Sequence, residues 1–297
     1  MAILKRIFFF SLVNILVVLT LSISASIILN FLGANPSQFY GMLFLYAIIG
    51  MGGAFISLLM SKWMAKRMFR IQMLDPRSQN SNERKLVELV HRIAKQAGLK
   101  TMPEVGYYNA PEVNAFATGP SKNNSLVAVS SGLLNRMNDE QVEAVLAHEV
   151  SHIANGDMVT LTLIQGVINT VVLLISRLLS TVVANALSGD RERSSFGLQY
   201  ALYIVFQLVL GILGSIVVNY FSRMREFRAD AGAAKYAGRD KMISALKALG
   251  GTQELLDHEH QSFASMKISG DTRSVFAALF STHPSLEQRI QRLESAR

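Results

Sequence analysis

The chain has no cysteine among its 297 residues. That excludes a disulfide framework and leaves histidine and carboxylate side chains to hold any metal. It also suits a reducing compartment. Charge is scarce as well: 17% of residues are charged, against about 25% in an average globular chain. The shortage is local, because no Asp, Glu, Lys, Arg or His occurs between Ile7 and Ser61. A run of that length excludes an ordinary soluble N-terminal domain and marks a membrane protein. The formal net charge of +8 comes with no nucleic-acid-binding motif, so no nucleic-acid partner is expected. The basic residues gather beside the apolar runs, where they set topology and meet anionic lipid of the bilayer.

Four apolar stretches stand out: residues 7–32, 39–61, about 158–187 and 196–222. At roughly 1.5 Å per residue each can cross a hydrocarbon core of about 30 Å as a helix. The first is too long for the core of a cleaved signal peptide and reads as a retained anchor. Small residues at Gly50/Ala54 and Gly53/Ser57 permit close helix contact. Arg177 interrupts the third stretch, so a buried hairpin competes there with a full span. Lys5 and Arg6 precede the first run, Lys62, Lys66, Arg67 and Arg70 follow the second, and Arg223, Arg225 and Arg228 follow the fourth. By the positive-inside rule both termini and the polar segments face the cytoplasm. The expected organisation is a membrane hairpin over 1–70, a soluble part over 71–157, a second apolar hairpin over 158–222 and a second soluble part over 223–297.

The polar segments read as α+β, mainly α. "SNERKLVELVHRIAKQAG" is an amphipathic helix with Leu86, Leu89, Val90 and Ile93 on one face and Gly98 at its end. "PEVGYYN", "EVNAFATG" and "SLVAVSS" are short β-branched and aromatic runs parted by turn signals, hence a small sheet. A second helix starts at Asn138, with Gln141 placed for a capping box, and stops at Asn155-Gly156. "SLEQRIQRLESA" starts another, with Ser285 and Gln288 as its capping pair.

The second helix carries the chemistry. Within "LAHEVSHIANGD", His148 and His152 are four apart and project from one helical face, so their imidazoles can share one ion. Glu149, about 100° round the helix, sits beside that ion as a general base for a water it activates. This is the H-E-x-x-H arrangement of zinc peptidases. Val142, Leu146, Val150 and Ile153 form an apolar stripe that packs the helix down. A catalytic zinc takes a third protein ligand. "SRMREFRAD" offers Glu226 and Asp230 just after the last apolar run, where a returning hairpin brings Glu226 back beside the histidines. His283, before Pro284, is placed either to donate to an oxyanion or to begin a helix. His91, His258 and His260 read as solvated helix residues.

"LAHEVSHIANGD", "NAFATG", "FSRMREFRADAGAAKYAG" and "THPSLEQRI" occur in order and together resemble the HtpX family of integral-membrane zinc endopeptidases, relatives of the type I CAAX prenyl proteases. The resemblance implies a zincin-like catalytic domain, an active-site helix with a small sheet, interrupted by the helical hairpin. It implies one zinc ion per chain on His148, His152 and Glu226, with Glu149 as base and Asp230 orienting a ligating histidine. It implies "NAFATG" as an edge strand for extended substrate, with Asn114 near the cleft. It further implies a bacterial-type inner-membrane enzyme that removes misfolded or damaged membrane proteins, or unfolded polypeptides, under stress. A narrower CAAX-type processing peptidase and a non-catalytic metal-binding membrane scaffold are the competing readings.

Overall fold

The computed structural model describes residues 36–188, 196–259 and 281–296. The first apolar run, 7–32, and His260 lie outside them. The chain divides into two compact units, residues 1–55 with 163–214 and residues 56–162 with 215–297.

The first unit holds the apolar parts of three long helices: α1 (Pro36–Met68), α5 (Asp157–Ser188) and α6 (Phe196–Tyr236). All three are long and apolar enough to cross a membrane. Large side chains such as Phe44, Leu208 and Ile212 point outward, which suits lipid rather than water. Gly50 lies against Thr170, where an added Cβ would fall 2.5 Å from the Thr170 Oγ1, whereas Gly53 faces open space. Of the two small-residue pairs, then, Gly50/Ala54 is the one used for helix contact. Arg177 is twenty residues beyond Asp157 on one continuous helix, a rise of roughly 30 Å.

The second unit is built from β1 (Gln72–Met73), α2 (Ser81–Gln96), β2 (Glu104–Tyr108), β3 (Ala115–Ser121), β4 (Asn124–Ser130), α3 (Ser131–Arg136), α4 (Asp139–Asn155), the C-terminal part of α6, α7 (Arg239–Glu259) and α8 (Leu286–Ser295). The sheet order is β1-β2-β4-β3, with β2 parallel to β4 and β3 antiparallel to it. Six successive residues of β4, Ser125 to Ser130, are buried, as expected of a strand covered on both faces. β3 is at the sheet's edge, and its pairing slips between Thr118 and Ser121. Gly119 there has φ +136° and sits so close to Asn124 that a Cβ would meet its carbonyl oxygen at 2.2 Å, so a side chain is excluded at this bulge.

Helix α4 is fixed at both ends by local chemistry. Asn138 accepts from the Gln141 N–H at 2.9 Å, and the Gln141 side chain accepts from the Asn138 N–H at 3.1 Å. Gly156, in the left-handed region at φ +71°, closes the other end. Val142, Leu146, Val150 and Ile153 are buried, together with Val90 and Ile93 of α2 and Leu246 of α7, in one core. That burial turns the opposite face of α4 toward α6. Gly232 of α6 lies directly on Ser151 of α4, an added Cβ falling 2.4 Å from its Oγ and 2.8 Å from its Cβ. The close approach fixes the height of the α6 turns carrying Glu226 and Asp230 against α4. Gly232→Val is therefore expected to destabilise the second unit by about 1–3 kcal/mol through overpacking, read as a lower melting temperature in detergent. Gly53→Val, in open space, should leave the melt unchanged.

Candidate metal centre

His148 and His152 stand one turn apart on α4, their rings perpendicular with centroids 4.7 Å apart. Their Nε2 atoms face each other at 3.1 Å. Glu226, from α6, completes the group: its Oε2 is 3.4 Å from His148 Nε2 and its Oε1 is 3.3 Å from His152 Nε2. One ligand atom from each of these three buried residues lies within 4.8 Å of the others. The two imidazoles are turned by carboxylates on their far sides. His148 Nδ1 is 2.9 Å from Asp230 Oδ1, and His152 Nδ1 is 2.7 Å from Asp157 Oδ2. An ionised carboxylate only accepts, so each Nδ1 carries the proton it donates, and in the neutral rings each Nε2 is left with its lone pair. Arg289 of α8 grips Asp230 with two bonds, Nε to Oδ2 at 2.8 Å and Nη2 to Oδ1 at 2.5 Å.

This set of residues fits a divalent cation. Two lone pairs pointing at each other from 3.1 Å repel unless a positive charge lies between them, and two nitrogens each about 2.0–2.1 Å from one zinc sit roughly 3 Å apart. Glu226 is 1% exposed, and neither of its buried oxygens has a hydrogen-bond partner. His283 Nδ1, at 2.9 Å, is its nearest nitrogen but does not meet it with hydrogen-bond geometry. The buried charged groups here are the carboxylates of Asp157, Glu226 and Asp230 and the guanidinium of Arg289. With neutral histidines they leave two negative charges enclosed, which a dication balances. Without one the histidines take up protons instead. For His152, burial pushes the pKa down, but the bond to Asp157 and the nearby Glu226 carboxylate outweigh it and raise it to about 9. His148 is also raised, burial being overcome by Asp230 and Glu226.

Glu149 is half-buried and stands outside the ligand trio. Its Oε2 accepts from the Ala117 N–H of edge strand β3 at 2.8 Å. Its carboxylate is thereby held between the histidine face of α4 and the strand. Asn114, exposed at the head of β3, is tied to β4: its carbonyl accepts from the Ser130 N–H at 3.0 Å and its N–H donates to Ser130 Oγ at 3.1 Å. His283 lies at the rim, with its side chain 58% exposed. His91 is not merely solvated, because its Nε2 lies 3.1 Å from the Pro103 carbonyl and ties α2 to the loop before β2.

Two members of the centre are absent from the sequence reading. Asp157 follows the left-handed Gly156, and only that reversal carries it back to His152. Arg289 had a signal: it shares a stripe with Leu286 and Leu293 at helical spacing. A charge on the apolar face of an amphipathic helix requires a buried partner.

Residues 80–297 match the model of peptidase family M48. The chain is 50% identical to "Protease HtpX" of Tolumonas auensis, covering 99% of this chain and all of that one. It is 48% identical to "Protease HtpX homolog" of Bacillus pumilus, covering 98% of this chain and 99% of that one. The crystal structure of S. mikatae Ste24p has the same fold, with a TM-score of 0.57 at 17% identity, over 97% of this chain and 66% of that one. With apolar helices of spanning length as well as a histidine–glutamate metal centre, the chain is a membrane metalloprotease that belongs to peptidase family M48.

Proposed function

We propose that this metalloprotease is a zinc-dependent endopeptidase that hydrolyses peptide bonds of misfolded or damaged membrane proteins from the cytoplasmic face. The observation that carries the reading is the enclosed surplus of two negative charges around the paired Nε2 lone pairs of His148 and His152 and the orphaned Glu226 carboxylate. Two imidazoles and one carboxylate suit zinc. A zinc ion held there supplies Lewis-acid polarisation of the scissile carbonyl and brings the pKa of water toward neutrality.

The chain's own residues supply the remainder. Glu149 accepts a proton from the attacking water and passes it to the departing amine nitrogen. Its bond from the Ala117 N–H holds the carboxylate in a fixed place beside the ligands. Strand β3 is the sheet's edge, so an extended substrate can join it by main-chain hydrogen bonds, which demand little of the substrate's sequence. Asn114 borders that strand. His283, at the rim, is within a side-chain swing of donating to the tetrahedral oxyanion. Lys62, Lys66, Arg67, Arg223, Arg225 and Arg228 after the apolar parts of α1 and α6 support a cytoplasmic position for the second unit. Shallow sequence demand favours clearance of many damaged membrane proteins over processing of a few.

Glu149→Gln in the purified full-length protein is expected to retain one zinc per chain and to lose cleavage of an unfolded model substrate by at least about a hundredfold. Glu226→Gln is expected to lose the zinc as well, so metal analysis beside the cleavage assay separates base from ligand. Cleavage at wild-type rate by Glu149→Gln would remove the mechanism. A pH dependence follows from His152. In the metal-free chain its pKa is raised to about 9, so below that pH a proton must leave before the metal binds. Zinc affinity should rise with pH, about tenfold per unit for each proton released, while His148 and His152 lose their protons. Affinity that stays flat from neutral pH upward, after correction for the competing chelator's own titration, contradicts this.

A further inference from the structure

The proposed metal site takes its orientation from two carboxylates of different origin. Asp230 lies one turn beyond the ligand Glu226 on α6 and is locked by Arg289. Asp157 lies elsewhere: it is the first residue of α5, the 32-residue apolar helix, and follows the left-handed turn at Gly156. Its carboxylate is 1% exposed. One oxygen, Oδ2, meets His152 Nδ1 at 2.7 Å. The other, Oδ1, has the Arg228 guanidinium at 4.0 Å, and that side chain is 57% exposed. The unpaired first-turn N–H groups of α5 favour a negative charge at this position.

We propose that Asp157 is a positioning residue for the metal, holding His152 in the tautomer and ring orientation that present Nε2 to the ion, so that metal retention depends on the first turn of the apolar helix α5. The inference rests on the metal reading above. The geometry leaves His152 no other orientation. An imidazole has two nitrogens; in the neutral ring that can bind a metal, Nδ1 donating to Asp157 leaves Nε2 as the acceptor, and it faces His148 and Glu226. Loss of that carboxylate frees the ring to turn or to carry its proton on Nε2, and either removes a ligand. Asp230 cannot substitute, because its bonds go to His148 and Arg289. The ligand helix α4 and the apolar helix α5 are separated only by Gly156, so the orienting group moves with α5.

The test is zinc affinity of the full-length chain in detergent, measured by chelator competition for wild type, Asp157→Asn and Asp157→Ala, beside the melting temperature of each metal-free protein. Asn keeps an acceptor without the charge, so the expected order of affinity is wild type, then Asn, then Ala. The loss should be about ten- to a hundredfold for the weaker variant, with the metal-free melting temperature unchanged. If Asp157→Ala does not fold, Asp157→Asn decides alone. Affinity of Asp157→Asn within threefold of wild type overturns the proposal. So does a weaker affinity matched by a lower metal-free melting temperature, since Asp157 would then act on the fold. A wild-type chain that binds no zinc in the same assay removes the metal reading itself, an outcome distinct from both.

Discussion

A carboxylate buried without a hydrogen-bond donor is the constraint around which the second unit is organised. Glu226 is among the most completely enclosed side chains, and an isolated ionised carboxylate in such a place costs several kcal/mol or more. Arg225 and Arg289 reach it only as charge contacts at 3.8 and 3.9 Å, and neutral His148 and His152 direct lone pairs at it while their protons point to Asp230 and Asp157. Every member of the group makes sense only with a positive charge at its centre. The raised pKa of His152 is the same fact seen in the metal-free chain, where protons stand in for the missing cation.

Packing supplies the precision that electrostatics needs. The apolar stripe of α4 is sunk into the core with α2 and α7, its capping box sets where it starts, and Gly156 sets where it stops. Gly232 allows α6 to lie against Ser151, and α8 reaches in with Arg289 to hold Asp230. With Asp157 at the start of α5, the helices α4, α5, α6 and α8 thus converge on one ion-sized space. The edge strand contributes through its backbone alone, with the Ala117 N–H on Glu149.

Much of this was legible in the sequence, for a physical reason: periodic or capped segments announce themselves locally. The H-E-x-x-H helix, its caps and its buried stripe follow from residues at most four apart. The three strands and the convergence of Glu226 on the histidines were also readable, the last because a hairpin must return near its start. What escaped was contact made by tertiary placement. Asp157 reaches His152 only through the φ +71° turn at Gly156, and Arg289 meets Asp230 across 59 positions of chain. Strand β1, of two residues, is too short to carry a period. Helix α6 was read as an apolar run followed by a ligand segment, yet it continues unbroken from Phe196 to Tyr236, because no glycine–proline break or cap intervenes.

That continuity has a consequence for how such a chain can vary. Along an unbroken helix each residue advances the direction of the next by about 100° and its height by 1.5 Å. Adding or deleting a single position between Glu226 and Gly232, which rests on Ser151, would swing the acid to another side of the rod. Seven positions nearly restore the angle but displace the acid by about 10 Å. The spacing from the acid to the Ser151 contact is therefore as restricted as the acid's identity, and length changes in this part of the protein belong in its loops.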